Sequence, residues 1–269
     1  MNNLKSLKLK LGGVEIIGII CIINFLLING LPFVFNNITT VDSAIFMGAY
    51  YKAFISGSYE FFRFLTVGLT HIDFLHLFVN MVALYQLNNF CKAAYGSKKT
   101  LIMLALSTVG GSLFLYCLGG NTLAVGLSGG LYGLMAAMLT FSIENNFMNN
   151  PVYRNNIISM LMMNLLINFM PGIAVSAHLG GFITGGVLSV LFSTRPSWDI
   201  LRRNTKLAGL LFCVAIPFLI YAKHEIPTSQ IYRGTDANVY SIMDAVGLDF
   251  YESWSNENMT NYYNSLGGR

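Results

Sequence analysis

Seven apolar stretches constrain this chain more than any other feature. They run from about Val14 to Phe35, Phe74 to Phe90, Thr100 to Leu118, Leu123 to Ile143, Ile157 to Ile173, Ala174 to Phe192 and Leu207 to Ala222. Crossing the hydrocarbon core of a bilayer takes roughly 20 such residues. In that medium every backbone N–H and C=O must find its partner inside the protein, which leaves the helix as the natural unit. The pattern predicts an all-α polytopic bundle. Only 10% of the residues are charged, against about 25% in soluble domains, which excludes a string of soluble domains. No nucleic-acid partner is expected. The four cysteines, Cys21, Cys91, Cys117 and Cys213, are scattered and show no metal-binding or CxxC spacing. They read as packing residues.

Charge placement orients the bundle. Met1 to Gly13 carries Lys5, Lys8 and Lys10 and leads into a long apolar run without a small-residue cleavage site. An uncleaved first spanning helix is therefore expected. With the N-terminus in the cytoplasm, eleven of the sixteen basic residues fall in cytoplasmic segments, including Lys92, Lys98, Lys99, Arg154, Arg195, Arg202, Arg203 and Lys206. This follows the positive-inside rule. The segment after Lys223 is then outside and holds six of the twelve acids. The connection from Asn36 to His71 is also outside. It is rich in aromatics, among them Phe46, Tyr50, Tyr51, Phe54, Tyr59, Phe61, Phe62 and Phe64, and is expected to lie partly at the membrane interface.

Two polar residues have no purpose in a helix that merely crosses lipid. Ser128 lies in Gly126-Leu127-Ser128-Gly129, and His178 lies in Ala177-His178-Leu179-Gly180-Gly181. An ionisable group inside a membrane segment is a functional hypothesis by default. Each is expected about one turn below the outer end of its span. His76 and Asn80 lie in the first two turns of the second stretch, at the same depth. Positions four apart diverge by about 40° on a helix, so His76 shares a face with Asn80, and Ser128 with Tyr132. Gly126, Gly129, Gly130, Gly133, Gly180, Gly181, Gly185 and Gly186 surround the pair, and small residues let helix backbones approach closely in lipid. A serine hydroxyl becomes a nucleophile when a neighbouring base takes its proton, and His178 can take it. The Ser128 backbone N–H, His76 and Asn80 are candidate donors to an oxyanion. Tyr132 can pack on His178 and fix its ring. No carboxylate lies near enough to orient the histidine, so a dyad is expected.

These residues resemble the rhomboid family of intramembrane serine proteases. The match includes Gly126-x-Ser128-Gly129 with Tyr132 and Gly133, Ala177-His178-x-x-Gly181-x-x-x-Gly185, and His71-x4-His76-x3-Asn80-Met81. Phe62-Arg63 is similar to the family's aromatic-Arg element, with phenylalanine where tryptophan is usual. The resemblance covers about Tyr59 to Phe192. It implies a six-helix core plus one C-terminal helix over residues 1–223, with 224–269 as an acidic extracytoplasmic tail. It implies that Ser128 is nucleophile and His178 base, that His76 and Asn80 assist the oxyanion, and that Gly126, Gly129, Tyr132, Gly181, Gly185, His71 and Arg63 support them. His71 reads as a structural residue of the external connection. The substrate implied is a single-pass transmembrane protein in the lipid bilayer of the plasma membrane. Its scissile bond is flanked by small residues in a helix that unwinds readily. Access is implied beside the fifth span, under a mobile cap at Met170 to Ser176. No metal or organic cofactor is expected. The family's Gly-x3-Glu-x3-Gly pattern reads here as Asn88-x3-Lys92-x3-Gly96, which puts one family hydrogen-bond anchor in question.

Other readings fit less well. Gly126-Leu127-Ser128-Gly129-Gly130 matches the hydrolase elbow, but that motif needs a strand and a soluble sheet. No H-E-x-x-H is present for a metalloprotease, and no pair of carboxylates lies within spans. A transporter would be expected to show an internal repeat. An inactive relative that binds membrane proteins usually lacks one member of the dyad, and this chain keeps both.

Overall fold

The computed structural model describes residues 11–119, 123–222 and 230–267. Helix α1 (Gly13–Val34) leads into α2 (Thr40–Phe46), a two-residue strand β1 (Tyr50–Tyr51), α3 (Lys52–Gly57) and α4 (Arg63–Thr66), which continues as a 3₁₀ turn to Leu69. The chain then bends by 96° into α5 (Phe74–Tyr95). Next come α6 (Ser97–Leu118), β2 (Leu123–Ala124), α7 (Ser128–Glu144), α8 (Pro151–Ile167), α9 (Val175–Phe192) and α10 (Asp199–Ala222). The chain closes with α11 (Gln230–Ala245) and α12 (Asp249–Gly267). Every apolar stretch is thus helical over most of its length. Helices α1, α6 and α9 are each long and apolar enough to cross a membrane.

Local chemistry sets the helix ends. Asp73 caps α5 by accepting from the His76 backbone N–H at 2.8 Å. Thr39 and Asp42 form a reciprocal capping box on α2. Asn150 caps α8, with Pro151 in its first turn. Such caps satisfy the otherwise unpaired N–H groups at a helix start.

The fourth stretch departs from the expectation that it is helical from Leu123. Leu123 and Ala124 pair antiparallel with Tyr51 and Tyr50. Gly126 then takes φ +113°, a conformation open to glycine and strained for any side chain. Helix α7 therefore begins at Ser128 itself, and Ser128 stands at its first position rather than one turn inside.

Helices α6, α7 and α9 form the centre, packed backbone to backbone. A Cβ at Gly181 would collide with the Gly129 carbonyl, and one at Gly185 with the Gly133 backbone. A Cβ at Gly111 would sit 2.6 Å from the Ala177 carbonyl oxygen. Association in lipid relies on such close van der Waals contact, because lipid tails are as apolar as the helices.

The connection after α1 is folded rather than spread out. Tyr50, Tyr51, Phe54 and Phe64 are buried in protein, while Tyr59, Phe61 and Phe62 stay exposed. At its centre Arg63 is fully buried. Its Nε donates to Glu60 at 2.6 Å, and its Nη1 donates to the carbonyls of Ile45 and Ala49 at 2.6 and 2.9 Å. Helices α11 and α12 dock on this connection. Asp236 accepts from the hydroxyls of Tyr51 at 2.9 Å and Tyr263 at 2.8 Å. Ser255 donates to Glu60 at 3.1 Å. Val239, Met243, Met259 and Tyr262 close one apolar cluster with Ile45, Tyr51, Ala53 and Phe54. The C-terminal pair and the first connection therefore lie at the same end of the bundle.

The basic segments gather at the opposite end. Lys99 Nζ reaches the Phe192 carbonyl at 3.4 Å, Arg195 bonds Asn145 at 2.9 Å, and Ser193 bonds Glu144. Lys92 also finds a partner on α1. Lys92 Nζ and Asn88 Nδ2 donate to Glu15 Oε1 at 3.0 and 3.1 Å. Asn88 and Lys92, which depart from the Gly-x3-Glu-x3-Gly pattern, are thus bound to one carboxylate on the first helix.

Candidate active site

Ser128 and His178 meet across the α7–α9 contact, with Ser128 Oγ 2.8 Å from His178 Nε2. The glycine contacts make this possible. Ser128 opens α7, His178 lies in the first turn of α9, and Gly129 and Gly181 remove the side chains that would hold the two helices apart. His178 is 6% exposed and Ser128 half-buried. The first backbone N–H groups of α7 have no partner within the helix and sit at its positive end.

Tyr132, one turn along α7 from Ser128, stacks on the imidazole. Their ring centroids are 4.1 Å apart and the planes differ by 11°. The Tyr132 hydroxyl donates to the Asn164 carbonyl at 2.7 Å. The other ring nitrogen, His178 Nδ1, lies 2.6 Å from Asn168 Oδ1. Asn168 is the C-cap of α8. Its Nδ2 donates to the Tyr132 hydroxyl at 3.0 Å and to the Asn164 carbonyl at 3.1 Å. Asn168 is not among the residues singled out from the sequence, where only a carboxylate is weighed to orient the histidine. The one signal available was Asn164 and Asn168 at helical spacing just before the Met170-Pro171-Gly172 turn.

His76 and Asn80 sit beside the pair. A Cβ at Gly126 would lie 2.8 Å from His76 Nε2, so the imidazole rests against the backbone two residues before Ser128. Asn80 is buried, and its Nδ2 donates to the His76 carbonyl at 2.8 Å. The amide is thus turned toward its own helix, with its second N–H still available. His71 is fully buried behind His76, with the rings edge to face at 5.2 Å. Neither of its nitrogens has a hydrogen-bond partner among the described residues. Arg63 belongs to the folded connection and not to the serine–histidine pair.

The family model of the rhomboid domain matches residues 58–195. The chain is 33% identical over 144 residues to RHOMBOID-like protein 5 of Arabidopsis thaliana, covering 52% of this chain and 46% of that protein. It is 30% identical over 139 residues to Inactive RHOMBOID-like protein 8 of the same plant, covering 51% and 39%. It is 29% identical over 193 residues to Rhomboid protease GluP of Bacillus subtilis (strain 168), covering 71% and 37%. The aligned regions thus span about half, or less, of the length of these relatives. The family match takes in half of the chain, including both helices of the Ser128–His178 contact, and by it this protein belongs to the rhomboid family, an all-α polytopic membrane bundle.

Proposed function

We propose that this protein is an intramembrane serine endopeptidase that hydrolyses a peptide bond in or beside a transmembrane segment of another membrane protein. The observation that carries the reading is the 2.8 Å contact between Ser128 Oγ and His178 Nε2, which is hydrogen-bond reach for a nucleophile and its base. In this mechanism Ser128 Oγ attacks the scissile carbonyl while its proton passes to His178. The oxyanion is met by the first N–H groups of α7, by His76 and by the free N–H of Asn80. His178 then gives the proton to the leaving amine. Water, activated by the same imidazole, releases the acyl group and restores Ser128.

The depth of the site favours a substrate that reaches it from lipid. With 17 residues, α7 is about 25 Å long, against the roughly 30 Å of hydrocarbon it must cross. If its far end reaches the interface where the basic segments gather, Ser128 lies below the opposite membrane surface. That depth suits a single-pass transmembrane substrate whose helix opens locally. Positive-inside placement puts the N-terminus in the cytoplasm, and the site and C-terminal helices near the outer face of the cell membrane.

The test is cleavage of a model single-pass substrate by the purified protein in detergent or liposomes. Wild type is expected to cut. Ser128→Ala and His178→Ala are not, and a serine-reactive fluorophosphonate is expected to label Ser128 alone. The similarity to a relative named as inactive supplies the second reading, a binder of membrane proteins. A wild-type protein that binds substrate but neither cuts it nor takes up the probe would establish that reading instead. Undiminished cleavage by Ser128→Ala would reject the assigned nucleophile.

A further inference from the structure

We infer that Asn168 is a positioning residue that selects the tautomer of His178, so that an amide orients the base of the Ser128–His178 pair. The inference deepens the protease reading and rests on it for its kinetic part.

An asparagine amide can be turned either way about its last bond, and its neighbours decide which way is correct. Asn168 Nδ2 faces the Asn164 carbonyl at 3.1 Å. A backbone carbonyl only accepts, so the atom facing it must be the NH2. The Tyr132 hydroxyl agrees: it already donates to that same carbonyl at 2.7 Å, so toward Asn168 it accepts. With the NH2 fixed there, Oδ1 is the atom 2.6 Å from His178 Nδ1. Oδ1 only accepts, so Nδ1 must carry the proton. In the neutral ring Nε2 is then bare, and it faces the Ser128 hydroxyl at 2.8 Å. That is the tautomer a general base needs. The opposite tautomer would set a lone pair against Oδ1 and an N–H against the nucleophile.

The surroundings leave this task to Asn168. Tyr132 stacks flat on the ring and holds its plane, but a stacked face does not distinguish the two nitrogens. His76 on α5 rests against Gly126. Asn168 reaches Nδ1 from the end of α8, ten residues before His178.

The test uses the full-length protein with 15N-labelled histidine. The chain has four histidines, so the His178 signals are assigned by difference from His178→Ala. In the wild type, Nδ1 is expected to show the shift of a protonated nitrogen and Nε2 that of a bare one. Asn168→Leu, nearly the same size, is expected to lose that pattern. It should lower kcat about tenfold, the worth of one neutral hydrogen bond, with KM within about twofold. Asn168→Asp keeps an acceptor toward Nδ1 and should recover the tautomer, while its second oxygen faces the Asn164 carbonyl, so kcat should recover only in part. A merely structural role would move stability without moving the tautomer. The inference is overturned by an Asn168→Leu protein with wild-type kcat and tautomer, or by an Asn168→Asp protein that shows the Asn168→Leu spectrum. If Asn168→Leu does not fold, the wild-type spectrum decides, and a proton on Nε2 overturns the inference. If the wild type neither cuts nor labels while Asn168→Leu still switches the tautomer, the protease reading fails and the positioning role stands.

Discussion

Gly181 on α9 packs directly on the backbone of Gly129 on α7, so closely that a single added carbon on Gly181 would run into the Gly129 carbonyl. That contact sets the distance between the helices carrying Ser128 and His178. Gly181→Ala must therefore push α9 away or bend it. Overpacking of this kind costs about 1–3 kcal/mol, and more where only backbone can yield. Gly181→Ala is expected to lower the thermal midpoint of the detergent-solubilised protein and to abolish labelling of Ser128. Gly186 is the control. Among the described residues a Cβ there meets only Ala136, at 3.9 Å, so Gly186→Ala should keep its stability within about 1 kcal/mol and keep its labelling. Equal loss in both variants would show that glycine matters along the whole helix rather than at the contact.

Arg63 and Glu60 form a buried ion pair, at 1% and 0% side-chain exposure. Removing one partner leaves the other charge uncompensated, at about 3–5 kcal/mol. Arg63→Leu is expected to unfold the connection between α1 and α5, seen as rapid protease nicking within residues 36–71. Arg63→Lys should recover only part of the loss, since lysine cannot make the forked contacts to Glu60 and the two carbonyls. The double variant Arg63→Leu with Glu60→Gln should be more stable than Arg63→Leu alone.

Lys92 and Glu15 present the opposite case. Their side chains are 41% and 33% exposed, and pairs of this kind contribute about 0–1 kcal/mol. Lys92→Ala should shift the thermal midpoint by no more than a degree or two on that basis. Lys92→Glu sets two carboxylates together and should do more harm. Adding Glu15→Lys should reverse that harm, which a thermal melt of the three variants would reveal.

Asp236 gathers two tyrosine hydroxyls, one from β1 and one from α12, at 4% exposure. Asp236→Ala removes the acceptor that both use, at roughly 2 kcal/mol or more. The expected result is faster hydrogen exchange in α3 and α11, by about thirtyfold on that figure, with exchange in α6 and α9 unchanged. Asp236→Asn keeps one of the two acceptor oxygens, so its exchange rates should fall between those of Asp236→Ala and wild type. Uniform acceleration across all helices would mean that the C-terminal pair is not a separate unit.

The helices of the bundle were legible because lipid imposes one simple requirement, and apolar length answers it. The start of α7 was not legible. Leu123 and Ala124 are as apolar as the residues after them, and only their pairing with Tyr51 and Tyr50 takes them out of the helix. Ser128, His178, Tyr132, His76 and Asn80 could be singled out because polar groups in apolar runs stand out. Asn168 could not. It shares its apolar stretch with Asn164, one helical turn before it, and nothing in the sequence tells the two apart; its importance arises from a turn that brings the end of α8 back to the first turn of α9. The C-terminal helices were hidden for a related reason. Their sequence is polar and full of Asn, Ser and Tyr, and the surface they bury belongs to the far end of the chain.

That last separation has a consequence for biosynthesis. Tyr51 and Asp236 are 185 residues apart, and Ser58 and Ser255 are 197 apart. At about 5–20 residues per second, the first connection waits roughly ten to forty seconds for the helices that cover it. During that interval Tyr51 and Phe54 lack the apolar neighbours that bury them in the finished protein. A ribosome that stalled before residue 230 would release a bundle with its serine and histidine already aligned, and with the neighbouring connection still uncovered.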